Sequence, residues 1–173
     1  NTPNQVNINS WSSDDSNDDT PILSNTTIFT QNNSASLLMD KEQIFPEIYK
    51  VIDQAKKKIY LTTYLFGDSI GHTIAEKLIA KKRAGLEIKV VVEETMGIIS
   101  ELVNPAKKEY DFLAQNGVEV RFFPSELMPK GPTFLSNKKV INHSKMVIAD
   151  EKIAIMGGMN YKDTEAINHD YMV

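Results

Sequence analysis

Three side chains late in the sequence could do chemistry together: His143, Lys145 and Asn160. They lie in Asn142-His143-Ser144-Lys145-Met146-Val147-Ile148-Ala149-Asp150 and, six residues further on, Gly157-Gly158-Met159-Asn160. The pattern is H-x-K-x4-D-x6-G-G-x-N, which chance produces at roughly one starting point in 10^8. On a strand, His143 and Lys145 project from the same face. A neutral imidazole beside an ammonium can meet one phosphate. The imidazole attacks phosphorus while the ammonium neutralises the charge that builds on the oxygens. Asn160, at the end of the next strand, adds an amide donor. Gly157 and Gly158 let the backbone come close, so that bare N–H groups there also face the phosphate.

The elements that must hold these residues read from the hydrophobic pattern. Residues 1–33 are rich in Asn, Ser, Asp and Thr, with Trp11 nearly alone as a large apolar group. Such a segment buries too little surface to offset its ordering entropy, so it reads as a polar disordered tail or spacer; a partner-binding peptide around Trp11 is the alternative. From residue 34 a domain runs to 173. Ser36–Met39 fits a short strand. Ile44, Phe45, Ile48, Tyr49, Val51, Ile52 and Ala55 fall at helical spacing, with Pro46 placed in the first turn. Ile59–Phe66 is a strand, and Asp68 or Ser69 caps a helix carrying Ile70, Ile74, Leu78 and Ile79 to Gly85. Leu86–Val92 predicts a strand buried on both faces. A helix over roughly Ser100 to Asn116 and a strand Val118–Phe123 follow. Pro124–Lys139 is a long surface loop of the kind that often carries function. Val140–Ala149 and Ile153–Met156 are strands joined by the turn Asp150-Glu151-Lys152, and His169–Val173 starts one more. The rhythm predicts an α/β fold, an α-β-α sandwich on a mixed, mostly parallel sheet. No internal repeat is present.

Composition narrows the class. The chain has 173 residues, 41% hydrophobic and 24% charged, enough for one domain with a core. No apolar run reaches the roughly 18 residues of a membrane span. The net charge of −4 argues against a protein that coats nucleic acid. With no cysteine, a disulfide scaffold and a thiolate zinc site are both excluded. The first residue is Asn1 rather than Met, which reads as removal of an upstream segment.

The motif resembles that of the phospholipase D superfamily, which includes phospholipases D, cardiolipin and phosphatidylserine synthases, and small nucleases. The resemblance covers about residues 34–173. "KKKIYLTTYLFGD", "KKRAGLEIKVVV" and "AQNGVEVRFFPS" are similar to the first half of bacterial cardiolipin-synthase-like enzymes. It implies that His143 becomes a phosphohistidine or acts as general acid, that Lys145 and Asn160 bind phosphate, and that Asp150 holds the motif's shape off the phosphate. It also implies a carboxylate that orients the histidine. Asp170 in "NHDYMV" is the choice here, with Glu165 and Asp163 as alternatives. No metal and no cofactor are implied; lysine charge and amide donors stand in their place.

Nucleophile and leaving-group acid sit on opposite sides of phosphorus in an in-line displacement, so one histidine does not serve both. The family brings two motif copies together, and this sequence has one. The second comes from a missing C-terminal half or from a homodimer mate. A chain that stops at Val173 soon after the motif, a "GGMN" like the first motif of lipid-processing members, and acidic net charge favour the first half of a two-motif protein. The expected function is phosphodiester hydrolysis or transphosphatidylation on phospholipids, with possible membrane-surface association. A membrane-associated or exported location is expected over a cytosolic one. The alternatives are a homodimeric metal-independent endonuclease, the one case with a nucleic-acid partner, and a catalytically lapsed scaffold.

Other residues read more plainly. His72 is an ordinary half-exposed histidine and His169 a surface one; a zinc site from His143, His169 and Asp170 lacks metal-ligand spacing. Lys56-Lys57-Lys58 and Lys81-Lys82-Arg83 are solvated charge runs at helix ends. Lys139, with Lys130 and Lys138, could guide an anionic head group, and Phe134 and Leu135 could dip into a lipid surface. Asn142-His143-Ser144 matches a glycosylation acceptor, but a glycan there would block the nucleophile.

Overall fold

In the computed structural model, residues 32–93, 106–123, 142–164 and 166–173 are described. The chain divides into two compact units, Asn1–Leu37 and Leu38–Val173. Trp11, the start of the helix expected from Ser100, the loop with Lys130, Phe134, Leu135, Lys138 and Lys139, and Glu165 lie outside the described residues.

The second unit begins with β1 (Leu38–Met39) and α1 (Asp40–Gln54). Ile44, Ile48, Val51 and Ile52 recur at helical spacing and are buried together, so α1 lays one apolar stripe on the core. The Gln43 side chain accepts the Met39 N–H at 3.0 Å, closing the first turn over the N-cap residue. The helix therefore starts at Asp40, a turn earlier than the periodicity suggests, and Pro46 falls inside it rather than in its first turn.

From there the chain alternates: β2 (Lys58–Thr63), α2 (Asp68–Arg83), β3 (Glu87–Glu93), α3 (Ala106–Gln115) and β4 (Glu119–Phe123). A hairpin follows, β5 (Met146–Ala149) and β6 (Ile153–Met156), and then β7 (Tyr171–Met172). The main sheet has five strands in the order β4-β3-β2-β5-β6. β2 pairs parallel with β3, and β3 with β4, while β5 pairs antiparallel with both β2 and β6. The α/β sandwich holds, with two parallel and two antiparallel pairings in the five-stranded sheet. The motif-bearing hairpin is what tips the balance.

The connections from β2 to β3 and from β3 to β4 carry α2 and α3, which pack against each other. α2 packs between α1 and α3. Under them lie Ile59, Leu61, Ile88, Val90, Val92, Val147 and Ile155. Strand β3 is not buried on both faces as expected: Glu87 and Lys89 are exposed at its start, between buried neighbours. There the alternation of an ordinary half-covered strand applies. Strand β7 pairs with β1, and Met156 and Val173 exchange both backbone hydrogen bonds, so the chain end lies along the edge of β6.

Candidate active site

The pairing register decides where the motif falls. Met146 lies opposite Thr62, and Ala149 opposite Ile59. Because β5 runs against β2, the residues just before β5 arrive at the carboxyl ends of β2 and β3. Sites in α/β sheets gather there, where the strand direction switches. The described strand begins at Met146; of the stretch expected from Val140, residues 142–145 lie outside the ladder and 140–141 outside the described residues. The Lys145 carbonyl nonetheless already accepts the Gly157 N–H at 3.2 Å, so the lead-in is tied to the strand that follows it.

His143 and Lys145 come together. Lys145 Nζ is 2.9 Å from Nδ1 and 3.2 Å from Nε2 of His143, and donates to the His143 main-chain oxygen at 2.9 Å. Being nearly equidistant from both ring nitrogens, the ammonium lies against the imidazole rather than in line with either lone pair. The two residues differ in exposure. Lys145 is 2% exposed whereas His143 is open to solvent. A buried ammonium needs polar partners to offset lost hydration; a cation held in a low-dielectric setting acts strongly on any anion beside it.

Tyr64 closes one side. Its ring centroid is 4.4 Å from that of His143, tilted by 55°, and Lys145 Nζ stands 5.1 Å from the Tyr64 centroid. The pattern H-x-K gave no hint of Tyr64; its position just past the carboxyl end of β2 was the available signal.

Asn160 returns to the same end of the sheet. The Tyr161 N–H donates to the Leu65 carbonyl and the Gly67 N–H to the Tyr161 carbonyl, so the segment after β6 runs beside Tyr64–Gly67. Its Oδ1 is buried without a hydrogen-bond partner among the described residues. A buried amide left unpaired costs stability and marks a site held ready for something else.

The two glycines act otherwise than expected. The Gly157 N–H is spent on Lys145 and the Gly158 N–H on the Tyr171 carbonyl, so neither is a bare donor for phosphate. Glycine is needed for close approach. A Cβ at Gly157 would collide with the backbone of Tyr171 and Met172, and one at Gly158 with the Asp170 carboxylate. Asp170 thus lies against the glycine pair, its Oδ1 accepting the Tyr171 N–H at 2.8 Å. Among the described residues no hydrogen bond joins it to His143.

The other acids have structural partners. Asp150 accepts the N–H groups of Lys56 and Lys57 at 2.8 Å and of Lys58 at 3.0 Å, pinning the α1–β2 connection at the end of β5 remote from His143. Those bonds, from Lys58 first and then Lys56, hold its carboxyl below the ordinary range. The lysine run read as mere solvation is therefore anchored through its main chain. Asp163 caps α2, taking the Ile70 N–H at 2.8 Å and the Ser69 hydroxyl, where Asp68 or Ser69 was expected to be the cap. Burial raises its carboxyl, but these bonds outweigh that and lower it. Serving α2, it is not the acid that orients His143. His169 is fully out in solvent and meets Asp40 at 3.1 Å. His72 is half-exposed, 3.0 Å from Glu109 and stacked on Phe112. Among the described residues no group of three His, Cys, Asp or Glu gathers as a metal set.

A mixed sheet packed with helices, and a histidine and buried lysine at its switch point, define a phospholipase D-type fold. Two solved structures share it at low identity: the phospholipase D family member Nuc from Salmonella typhimurium and NucT from Helicobacter pylori. The TM-score is 0.59 for Nuc at 21% identity, covering 79% of this chain and 78% of that one. For NucT it is 0.54 at 17% identity, covering 79% and 81%. The chain belongs to the family described as "Cardiolipin synthase, PLD-like domain", which matches residues 48–173. Among its relatives, the major cardiolipin synthase ClsA of Bacillus subtilis is 31% identical over 144 residues, 82% of this chain and 28% of that protein. Cardiolipin synthase of Clostridium perfringens is 33% identical over 137 residues, 78% of this chain and 27% of that protein. That of Oceanobacillus iheyensis is 35% identical over 140 residues, 79% and 27%. The chain thus spans little more than a quarter of the length of these relatives.

Proposed function

We propose that this chain supplies one half of an active site for phosphodiester transfer or hydrolysis on phospholipids. The observation that carries it is the meeting of His143 with the buried Lys145 at the carboxyl ends of β2 and β3, the end to which Asn160 also returns, its Nδ2 being the group that can donate to phosphate. His143 attacks phosphorus through a ring nitrogen, and the bond from phosphorus to the leaving alcohol oxygen breaks. That oxygen takes its proton from the histidine of a second motif copy. Lys145 and the Asn160 amide hold the phosphoryl oxygens as their charge grows. Water or an alcohol then loses a proton to the second imidazole and attacks phosphorus, and the phosphorus–nitrogen bond to His143 breaks. Asp150 keeps the motif in shape from the remote end, Lys139 steers the head group, and Asp170, which bonds the Tyr171 N–H and not His143 among the described residues, is the carboxylate we assign to orienting the imidazole in the completed two-copy site.

The second copy belongs to a C-terminal half, and residues 34–173 are the motif-bearing domain behind a polar spacer, 1–33. The full-length protein works at a membrane surface. The chain's similarity to cardiolipin synthases, at 31% to 35% identity, supports the lipid substrate. Full-length protein should convert phosphatidylglycerol vesicles to cardiolipin and glycerol, or release phosphatidic acid, read by mass spectrometry. His143→Asn should abolish this. An absence of turnover on phosphatidylglycerol and phosphatidylcholine, with DNA or RNA cutting in EDTA instead, overturns it.

A further inference from the structure

His143 is open to solvent, so its aim depends on what holds the backbone that carries it. That hold lies one residue earlier and across the sheet. Glu93 ends β3, and its side chain is 0% exposed. Its Oε2 accepts the main-chain N–H of Asn142 at 2.6 Å. The Asn142 side chain then works in two directions. Its Nδ2 donates to Thr62 Oγ1 at 3.0 Å, and its Oδ1 accepts the Ser144 N–H at 3.2 Å. The second bond closes an Asx turn with His143 at its centre. The residue before the histidine is tied to β3 and β2, two interior strands of the sheet, and the residue after it is tied to the residue before.

We propose that Asn142, anchored by the buried carboxylate of Glu93, is the positioning residue that fixes the imidazole of His143 for attack. A buried carboxylate gives up its hydration and keeps its place only through a well-made hydrogen-bond network, so Glu93 holds Asn142 in a defined position. An N–H bonded to a carboxylate is shorter and stiffer than one bonded to a neutral acceptor. The three bonds fix the backbone on both sides of His143. The ring then has only its own two torsions to settle, against Tyr64 and Lys145. Neither Asn142 nor Glu93 touches the reacting atoms in this scheme; both act through His143.

This inference rests on the phosphodiester reading, so its test is run on whichever phosphodiester the wild-type full-length protein turns over, lipid or nucleic acid. A failure of the lipid reading then shows in the wild type, and a failure of the positioning role shows only in the variants. Asn142→Ala should lower kcat about 100-fold, the penalty for a misplaced reacting group, with KM within about threefold because Lys145 and Asn160 still hold the phosphate. Asn142→Ser keeps an oxygen that can close the turn and should recover about tenfold of the loss. Glu93→Gln keeps an acceptor for the Asn142 N–H without the charge and should fall between wild type and Asn142→Ala in kcat, again with KM unchanged. Circular dichroism and the thermal midpoint report folding alongside. If Asn142→Ala does not fold, the Asn142→Ser and Glu93→Gln results decide alone. Folded Asn142→Ala with kcat within threefold of wild type overturns the proposal, as does, where Asn142→Ala does not fold, a folded Asn142→Ser within threefold. So does a loss carried by KM rather than kcat.

Discussion

At the scale of single residues, Asn160 shows most directly how function costs stability. Its Oδ1 is buried and unpartnered, a state that ordinary packing avoids because the lost hydration is not returned. Truncation removes that burden along with one phosphate donor. Asn160→Ala should therefore lower kcat about 100-fold, as loss of one transition-state donor does, while the thermal midpoint stays level or rises. A drop in midpoint together with the loss of activity would mean that the amide is structural. Lys145 differs: its ammonium already donates to the His143 carbonyl and lies against the ring, so it serves the folded state as well as the chemistry.

The elements explain what a pattern of residue types can and cannot disclose. The H-x-K-G-G-N spacing was legible because period-two geometry and a tight hairpin leave little choice about facing. The helices were legible for the same reason, their apolar residues recurring on one stripe. The long-range bonds were not. Asp150 lies 92 residues along the chain from Lys58, and nothing local in either stretch announces that one carboxylate gathers three successive N–H groups. Asp163 caps α2 from 93 residues away, which made the local candidates Asp68 and Ser69 look sufficient. Gly157 and Gly158 misled for a related reason. Glycine signals close approach, but what approaches is the β7 backbone and Asp170, which period and spacing do not identify. The Asp150 anchor has a consequence for pH. Its carboxyl titrates below the ordinary value of 3.8 in the folded protein, so its contribution is complete above that value and fades as pH falls through the lower folded one. Urea midpoints measured from about pH 6 down to 2 should show wild type and Asp150→Asn converging on the acid side. A gap constant with pH would mean that the charge on Asp150 does not hold the connection.

At the scale of the whole molecule, one imidazole sets a limit that can be measured. The attacking nitrogen and the departing oxygen occupy opposite sides of phosphorus, and the motif in this chain supplies a histidine for one side. A glycerol-type leaving group needs a proton as it departs, whereas p-nitrophenolate does not. The 173-residue chain alone, kept monomeric by dilution and checked by sedimentation, should therefore leave phosphatidylglycerol intact. With a p-nitrophenyl phosphodiester it should release about one equivalent of p-nitrophenol per chain and then slow sharply, the burst expected when a covalent intermediate forms faster than it is resolved. His143→Asn should remove the burst. Activity that rises with the square of chain concentration would assign the second histidine to another copy of this chain. Steady turnover of phosphatidylglycerol by the monomer would show that the residues around His143 complete both sides of the displacement, and the half-site reading would fall.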